Sequence, residues 1–405
     1  MAYGTGARRF RGLLLSSASG CQEVKIGLLI KRFVITGGAE RVVVELARHL
    51  LSKGHTVHLY AQEWDPSLSV MEGLILHRLP SVRKPRWLNS LVLALAAGRC
   101  AQQEQLDLLH AHERTFRYDL LTVHCICYKN WIWRRRSPLG RGVNWIRAAV
   151  SPRHVGYLFL ESRQFHHPTG QIAAVSCLIR EDILANYRAW APINVVSPGV
   201  DSTTFSPSMR RQLREEARRR FSFSPEETVL VFVGSEFRRK GLHHLFAALA
   251  GDPGLRRRVR VLVVGGGPVR VYQALAGRLG IADSVCFTGL VPDLRFFYAS
   301  ADIFCLPSLR EPSALAVLEA MACGLPVLIC RESGNAELVE DGVDALLLSD
   351  PADSEEFLQA IRMLLDPQRR EEMGRAARET ACRFSWEVMG EAYEKIYMEL
   401  KETWE

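Results

Sequence analysis

Glu311 and Glu319 stand eight residues apart in the stretch Glu311-Pro-Ser-Ala-Leu-Ala-Val-Leu-Glu319-Ala-Met-Ala-Cys-Gly324-Leu-Pro326. Leu315, Leu318 and Met321 recur at helical spacing, and Gly324 with Pro326 ends the helix. Pro312 suits a first helical position, where a missing N–H costs nothing. This predicts a helix opening at Pro312, with Glu311 in the loop at its mouth and Glu319 about 12 Å further along the axis. The free N–H groups of Ser313, Ala314 and Leu315 then point towards Glu311 and make an anion site. A carboxylate beside an anion site calls for a neutral group between them, and a hydroxylated sugar meets that need. The second carboxylate can hold a further polyol such as a ribose. A lone glutamate at a helix mouth needs no ligand, because it offsets the helix dipole. The pair, with glycines around it, favours one.

The elements that must position these groups read as two α/β units. Strand Val24–Ile30, the turn Gly37-Gly38, helix Val42–Leu51 and strand His55–Tyr60 form a βαβ unit. Strands Leu74–Leu79, Leu106–His112 and Asp119–Cys127 continue it, with His110 and His112 at the end of one and His124 near the carboxyl end of another. In doubly wound folds those ends line the ligand crevice. Short strands Ala173–Ser176 and Asn194–Ser197 follow, then the turn Pro198-Gly199-Val-Asp201. A second unit begins with strand Thr228–Val233. Its loop Gly234-Ser-Glu-Phe-Arg-Arg239-Lys240-Gly241 holds cations between two glycines, well placed for a diphosphate. Strands Val259–Val264 and Val285–Val291 follow, then the Glu311 stretch, strands Val327–Ile329 and Ala345–Leu348, and a helical tail. The expected divisions are an extension at 1–22, a first Rossmann-like domain at 23–197, a second at 198–387, and a last helix at 388–405 crossing back to the first.

Composition sets the bounds. The chain has 405 residues, 48% apolar content and a net charge of +8. That length supports two or three cores, and that charge favours anionic partners. Ten cysteines, with no Cys-x-x-Cys pair, fit buried thiols in a reducing compartment. The apolar core at Leu13–Leu15 is too short for a signal peptide, and no run is long enough to span a bilayer. The stretch Tyr128-Lys-Asn-Trp131-Ile-Trp133-Arg134-Arg135-Arg136 interleaves tryptophan and arginine without acids. It fits a bilayer interface or a nucleic acid, and equally a solvated basic helix.

Gly37-Gly38-Ala-Glu-Arg41, Ser197-Pro-Gly-Val-Asp201, Arg239-Lys240-Gly241, Phe287-Thr-Gly289, and Glu311-x7-Glu319 with Ala-Met-Ala-Cys-Gly-Leu-Pro326 resemble glycosyltransferase family 4. The motifs keep the family's order from about residue 24 to residue 390. Within the family, the Val-Gly-Ser-Glu-Phe-Arg-Arg-Lys-Gly run and the basic aromatic stretch look most like the lipopolysaccharide core glucosyltransferase I group. The resemblance implies a GT-B fold, with two Rossmann-like doubly wound domains facing a cleft, and retaining transfer from a nucleotide sugar. It implies that Glu311 contacts the donor sugar near the reacting carbon, with His124 beside acceptor and donor carbon. Glu319 would bind the ribose, and Arg239 and Lys240 would neutralise the diphosphate. Gly38, Gly234, Ser313, Ala314 and Leu315 would complete the phosphate cradle, and Gly289-Leu290 would border the base. Two departures stand out. Ser235 replaces an arginine common in the family, and Ala314 stands where many members have glycine.

The expected activity is hexose transfer, with UDP-glucose as donor and a lipid-linked core oligosaccharide as acceptor. No cofactor is expected, and no metal, since no Asp-x-Asp motif occurs. The expected partners are the nucleotide sugar, the lipid-linked acceptor and an anionic membrane surface, not nucleic acid; the oligomeric state is open. The expected location is cytoplasmic, at the inner face of the membrane. The alternatives are a nucleotide-sugar epimerase on the same architecture, or a basic nucleic-acid- or membrane-binding protein without catalysis.

Overall fold

A computed structural model describes residues 23–133, 151–167, 170–189 and 191–402, without the side chains of 86, 100–103, 131 and 133. The first sheet contains β1 (Lys25–Leu29), β3 (Thr56–Ala61), β5 (Leu74–Arg78), β6 (Leu108–Ala111), β7 (Leu120–Val123), β8 (Gln171–Ala174) and β9 (Ile193–Val195). β2 (Arg32–Phe33) and β4 (Glu63–Trp64) form a separate small pair. The second sheet contains β10 (Thr228–Val233), β11 (Val259–Val264), β12 (Val285–Gly289), β13 (Ile303–Leu306), β14 (Val327–Cys330) and β15 (Ala345–Leu348). Both sheets are parallel. Their inner strands are mostly apolar runs, as burial on both faces requires.

Strand order is β5-β3-β1-β6-β7-β8-β9 in the first sheet and β12-β11-β10-β13-β14-β15 in the second. Each order runs outwards in both directions from its first strand, which is the doubly wound arrangement. The switch points therefore lie between β1 and β6, and between β10 and β13. Ligands of such sheets bind outside the carboxyl ends of those strands. There stand Gly37-Gly38 after β1, His112 after β6, the Gly234–Gly241 loop after β10, and the Glu311 loop after β13. The chemical residues are thus concentrated where the topology opens a crevice.

One apolar core fills the second domain, and two fill the faces of the first sheet. The helix Trp386–Glu402 contributes Met389, Tyr393, Ile396, Tyr397 and Leu400 to a core of the first domain. Its Glu394 accepts hydrogen bonds from His49 Nε2 (2.8 Å) and His55 Nε2 (2.9 Å), and its Tyr397 hydroxyl meets His110 Nδ1 at 2.7 Å. The chain crosses between the domains twice, and the crossings touch. Val200 N–H donates to the Phe384 carbonyl at 2.8 Å, and a Cβ on Gly199 would lie 2.4 Å from the Ser385 carbonyl carbon.

Asp201 secures the first crossing. Its carboxylate accepts the N–H groups of Thr203 and Thr204, both at 3.0 Å, and both hydroxyls, at 2.6 and 2.5 Å. Partial burial opposes ionisation, yet the bonds from Thr203 and Thr204 bring its pKa from 3.8 down to about 2. A depressed carboxylate stabilises the fold fully above its unfolded value, and the benefit is lost as pH falls from 3.8 towards 2. Asp201→Ala is expected to cost about 1 kcal/mol at pH 7, allowing for solvent screening. Urea melts should show the gap between variant and wild type narrowing from pH 5 to pH 2.5; a gap that does not vary with pH would contradict this.

Candidate active site

The loop after β10 is drawn onto the loop after β13 by its last glycine. Gly241 has φ 77° and begins the helix Leu242–Gly251. A Cβ there would lie 1.9 Å from the Pro307 carbonyl oxygen, so only glycine lets the two loops close. Arg239 and Lys240 immediately before it reach Glu311. Arg239 Nη1 lies 2.9 Å and Lys240 Nζ 3.3 Å from Glu311 Oε2, and Ser308 Oγ donates to the same oxygen at 3.1 Å. The stem of Lys240 lies flat on Gly234, where a Cβ would come within 2.2 Å of its Cδ. Glu311 is buried. Burial alone would raise its pKa, but Lys240 and Arg239 outweigh it and hold the carboxyl below its ordinary value.

The helix at this mouth is shorter than the sequence predicts. It runs Leu315–Ala322, three residues later than a start at Pro312, and Ala314 is its N-cap. The cause is Asn335, whose side chain accepts the Ala314 N–H at 2.6 Å and donates to the Ala314 carbonyl at 3.3 Å. This holds Ala314 extended and takes its amide. The expected anion donors are corrected accordingly. The Ala314 N–H serves the Asn335 turn, Ser313 lies before the helix, and Leu315 provides the first helical N–H. Gly334 N–H also donates to the Glu311 carbonyl at 2.7 Å, and a Cβ on Gly334 would strike the Pro312 carbonyl oxygen.

Glu319 lies on the buried side of this helix, 3% exposed. Tyr298 OH donates to its Oε2 at 2.9 Å, and Arg41 Nη1 reaches its Oε1 at 2.5 Å. Arg41 belongs to helix Gly38–Ser52 of the first domain, so this ion pair bridges the two switch points. Burial exceeds the pull of Arg41 and Tyr298, and the Glu319 pKa is raised. Two further contacts cross the cleft. Arg310, with φ 56°, donates to Asp182 Oδ1 at 2.8 Å, and Glu337 accepts the Cys177 N–H at 2.8 and 2.9 Å.

On the first domain's side, Gly38 opens its helix with free space where a side chain would project. His124 follows β7 and lies 2.9 Å (Nε2) from His112 Nδ1. Burial brings the His124 pKa to about 4. His112 lies well below its usual value through burial and the nearby His110 and His124. Both rings are therefore neutral at pH 7 and can exchange hydrogen bonds without charge. His110 extends the row inward to Thr122 and Tyr397, each at 2.7 Å.

Residues 214–380 match the family model described as Glycosyl transferases group 1, and residues 36–204 match the one described as Glycosyltransferase Family 4. A D-inositol 3-phosphate glycosyltransferase of Saccharomonospora viridis is 38% identical over 389 residues, 89% of this chain and 87% of that one. The chain belongs to glycosyltransferase family 4. Another D-inositol 3-phosphate glycosyltransferase, from Thermobifida fusca, is 28% identical over 390 residues, 87% of this chain and 86% of that one. Among solved structures, WaaG, described as a glycosyltransferase involved in lipopolysaccharide biosynthesis, has a TM-score of 0.80 at 22% identity, covering 92% of this chain and 99% of that one. Anabaena Alr3699/HepE, solved with UDP-glucose, has a TM-score of 0.70 at 21% identity, covering 93% and 100%. These likenesses establish the GT-B fold.

Gly289 ends β12 with φ 75°, and Leu290 beyond it is 71% exposed. Ser235, in the place of the family's common arginine, accepts the Gly266 N–H at 3.4 Å, so its hydroxyl serves loop geometry. Trp131 and Trp133 lie on the short helix Tyr128–Trp133, while Arg134, Arg135 and Arg136 lie outside the described residues. Among the described residues one group, His58, His77 and Glu104, has metal-ligand spacing. Its histidines lie on β3 and β5 at one side of the first sheet, with Lys25 of β1 nearby. Sequence reasoning missed Arg41 as the partner of Glu319, and missed Asn335, Arg310 and Glu337. Arg41 stood inside a quoted motif; the other three have no local pattern, because each acts on a segment far away in the chain.

Proposed function

We propose that the chain is a retaining hexosyltransferase that takes a hexose, with glucose the first candidate, from a UDP-sugar. The convergence of Arg239 and Lys240 on Glu311 at a helix mouth carries this reading. A departing nucleoside diphosphate gains charge as its bond to the anomeric carbon breaks. Two preorganised cations and the helix dipole offset that charge in a site screened from water. The acceptor oxygen bonds to the carbon on the same face, and its proton passes to the departing phosphate oxygen. Glu311 would orient the sugar hydroxyls, Glu319 the ribose, and Leu290 would lie against the base. Neutral His124 would hydrogen-bond the sugar or the acceptor. The Anabaena protein solved with UDP-glucose supports this donor. Transfer would proceed without a divalent ion.

For the acceptor we propose a lipid-linked saccharide at an anionic membrane surface, on the cytoplasmic face. The basic aromatic stretch supports this, as does the helix Pro152–Phe165, which exposes Val155 and Phe159. The lipopolysaccharide role of WaaG supports a core oligosaccharide. Among the described residues no helix is long and apolar enough to cross a membrane, so association would be peripheral. A second reading, a phosphorylated inositol as acceptor, is favoured by the relative at 38% identity.

One experiment separates the two. The protein is incubated with a panel of nucleotide sugars and chelator, and offered core lipid in anionic vesicles or inositol 3-phosphate in solution. The expected result is transfer from UDP-glucose to the vesicle-borne acceptor, weakened by salt. Transfer to inositol phosphate alone would replace the acceptor, and no transfer from any nucleotide sugar would remove the donor reading.

A further inference from the structure

The second domain holds another concave site, with no part in the donor reading. A cavity of about 390 Å³ lies between helix Pro207–Arg220, helix Pro367–Ala381 and the turn Gly324–Pro326. Arg210, Arg211, Arg370, Arg375 and Arg378 line it, against two carboxylates, Asp302 and Glu371. The volume is in the range of small-molecule sites.

The charges in its wall do not balance. Asp302 is engaged by two further arginines, Arg214 at 2.5 Å and Arg218 at 3.0 Å, and lies 4.0 Å from Arg210. Glu371 is exposed and meets Arg375 at 3.4 Å. Three other guanidiniums are held by neutral carbonyls. Arg210 donates to Ala301 at 2.7 Å, and Arg370 donates to Leu364 and Leu365 at 2.7 and 2.8 Å. Arg378 donates to Phe205, Ala322 and Ser202 at 2.7–2.9 Å. Carbonyls fix the orientation of a guanidinium without cancelling its charge, and partial burial makes that charge costly. Burial first, then the neighbouring Arg214, brings the Arg210 pKa down to about 10, and burial also lowers that of Arg370. Arg210 Nε is buried with no partner among the described residues.

We propose that this cavity binds a phosphate-bearing anion, whose negative charge offsets part of the excess positive charge of the arginine wall. It is separate from the donor site. Gly324 and Pro326 lie at the foot of helix Leu315–Ala322, whose mouth faces Glu311 about 12 Å away. A helix foot ordinarily repels anions; Arg378 offsets this by binding the Ala322 carbonyl. An anion held here would brace the helix that carries Glu319 from its far end.

The test uses the full chain carrying Arg239→Ala and Lys240→Ala, which disables the proposed diphosphate site. Calorimetry with orthophosphate and glucose 6-phosphate should still find one binding site per chain. Adding Arg211→Glu and Arg375→Glu at the exposed rim should weaken it about tenfold or more without changing the melting temperature. Vesicles containing phosphatidic acid form a second arm. Binding that appears only there, and is lost on the rim reversal, assigns the phosphate to a lipid headgroup. No binding in either arm, or binding insensitive to the reversal, would overturn the proposal. Because the donor site is already disabled, this result is independent of whether the donor assignment stands.

Discussion

Lys240→Ala is expected to lower kcat/KM for transfer about 10²–10³-fold while the chain still folds. Lys240 is the compact cation of the pair, and its ammonium, 3.3 Å from Glu311, is mostly shielded from water. In such a place a charge acts on the departing diphosphate with little screening. Arg239 cannot take over fully, because it also pairs with Glu236 at 2.5 Å and its side chain is 36% exposed. Lys240→Met separates charge from packing, since it retains an apolar stem over Gly234. If the charge matters, methionine and alanine lose activity alike. If methionine restores the rate to within about threefold, the lysine serves packing alone and the phosphate role is wrong. Loss of Lys240 also removes the strongest influence holding down the Glu311 pKa. The acid limb of the activity profile should therefore move to higher pH in both variants, which a rate–pH series would detect.

The strands and the doubly wound class follow from features visible in the chain. Apolar runs such as Thr228–Val233 and Val259–Val264 are strong signals because parallel strands bury both faces. Gly241 could be read as a turn, but not as the residue that admits the Pro307 carbonyl; that contact links residues far apart in sequence. The helix mouth shows the same limit. Local rules place its start at Pro312, and Asn335, acting from another turn, delays it to Leu315. Glu319 was legible as a candidate from its spacing. Its environment was not, because Arg41 and Tyr298 come from two other elements. Residue types announce the chemistry here, while long-range partners decide which oxygen or amide stays free for a ligand.

Glu311→Gln is expected to cut kcat about 10³-fold and to leave UDP binding unchanged or tighter. The direction follows from the ion pairs. Glu311 holds Arg239 and Lys240 at 2.9 and 3.3 Å, so an incoming diphosphate competes with this carboxylate for the same two cations. A neutral amide releases them, which favours the diphosphate. It cannot orient the sugar hydroxyls as a carboxylate does, so the turnover step loses. A residue of purely structural value would behave otherwise, lowering the melting temperature and weakening UDP together. Stability gives an independent check of sign. The folded Glu311 pKa lies below 4.5, so its contribution is present above that value and is lost as pH falls through the folded one. Wild type should therefore lose more stability than Glu311→Gln between pH 6 and the acid range, with the two curves converging at low pH. Calorimetric UDP titration, single-turnover rates and pH-dependent melts on one preparation decide the matter. Unaltered kcat would detach Glu311 from the donor and return it to the role of a counter-ion, and weakened UDP binding in a folded chain would contradict the competition argued here.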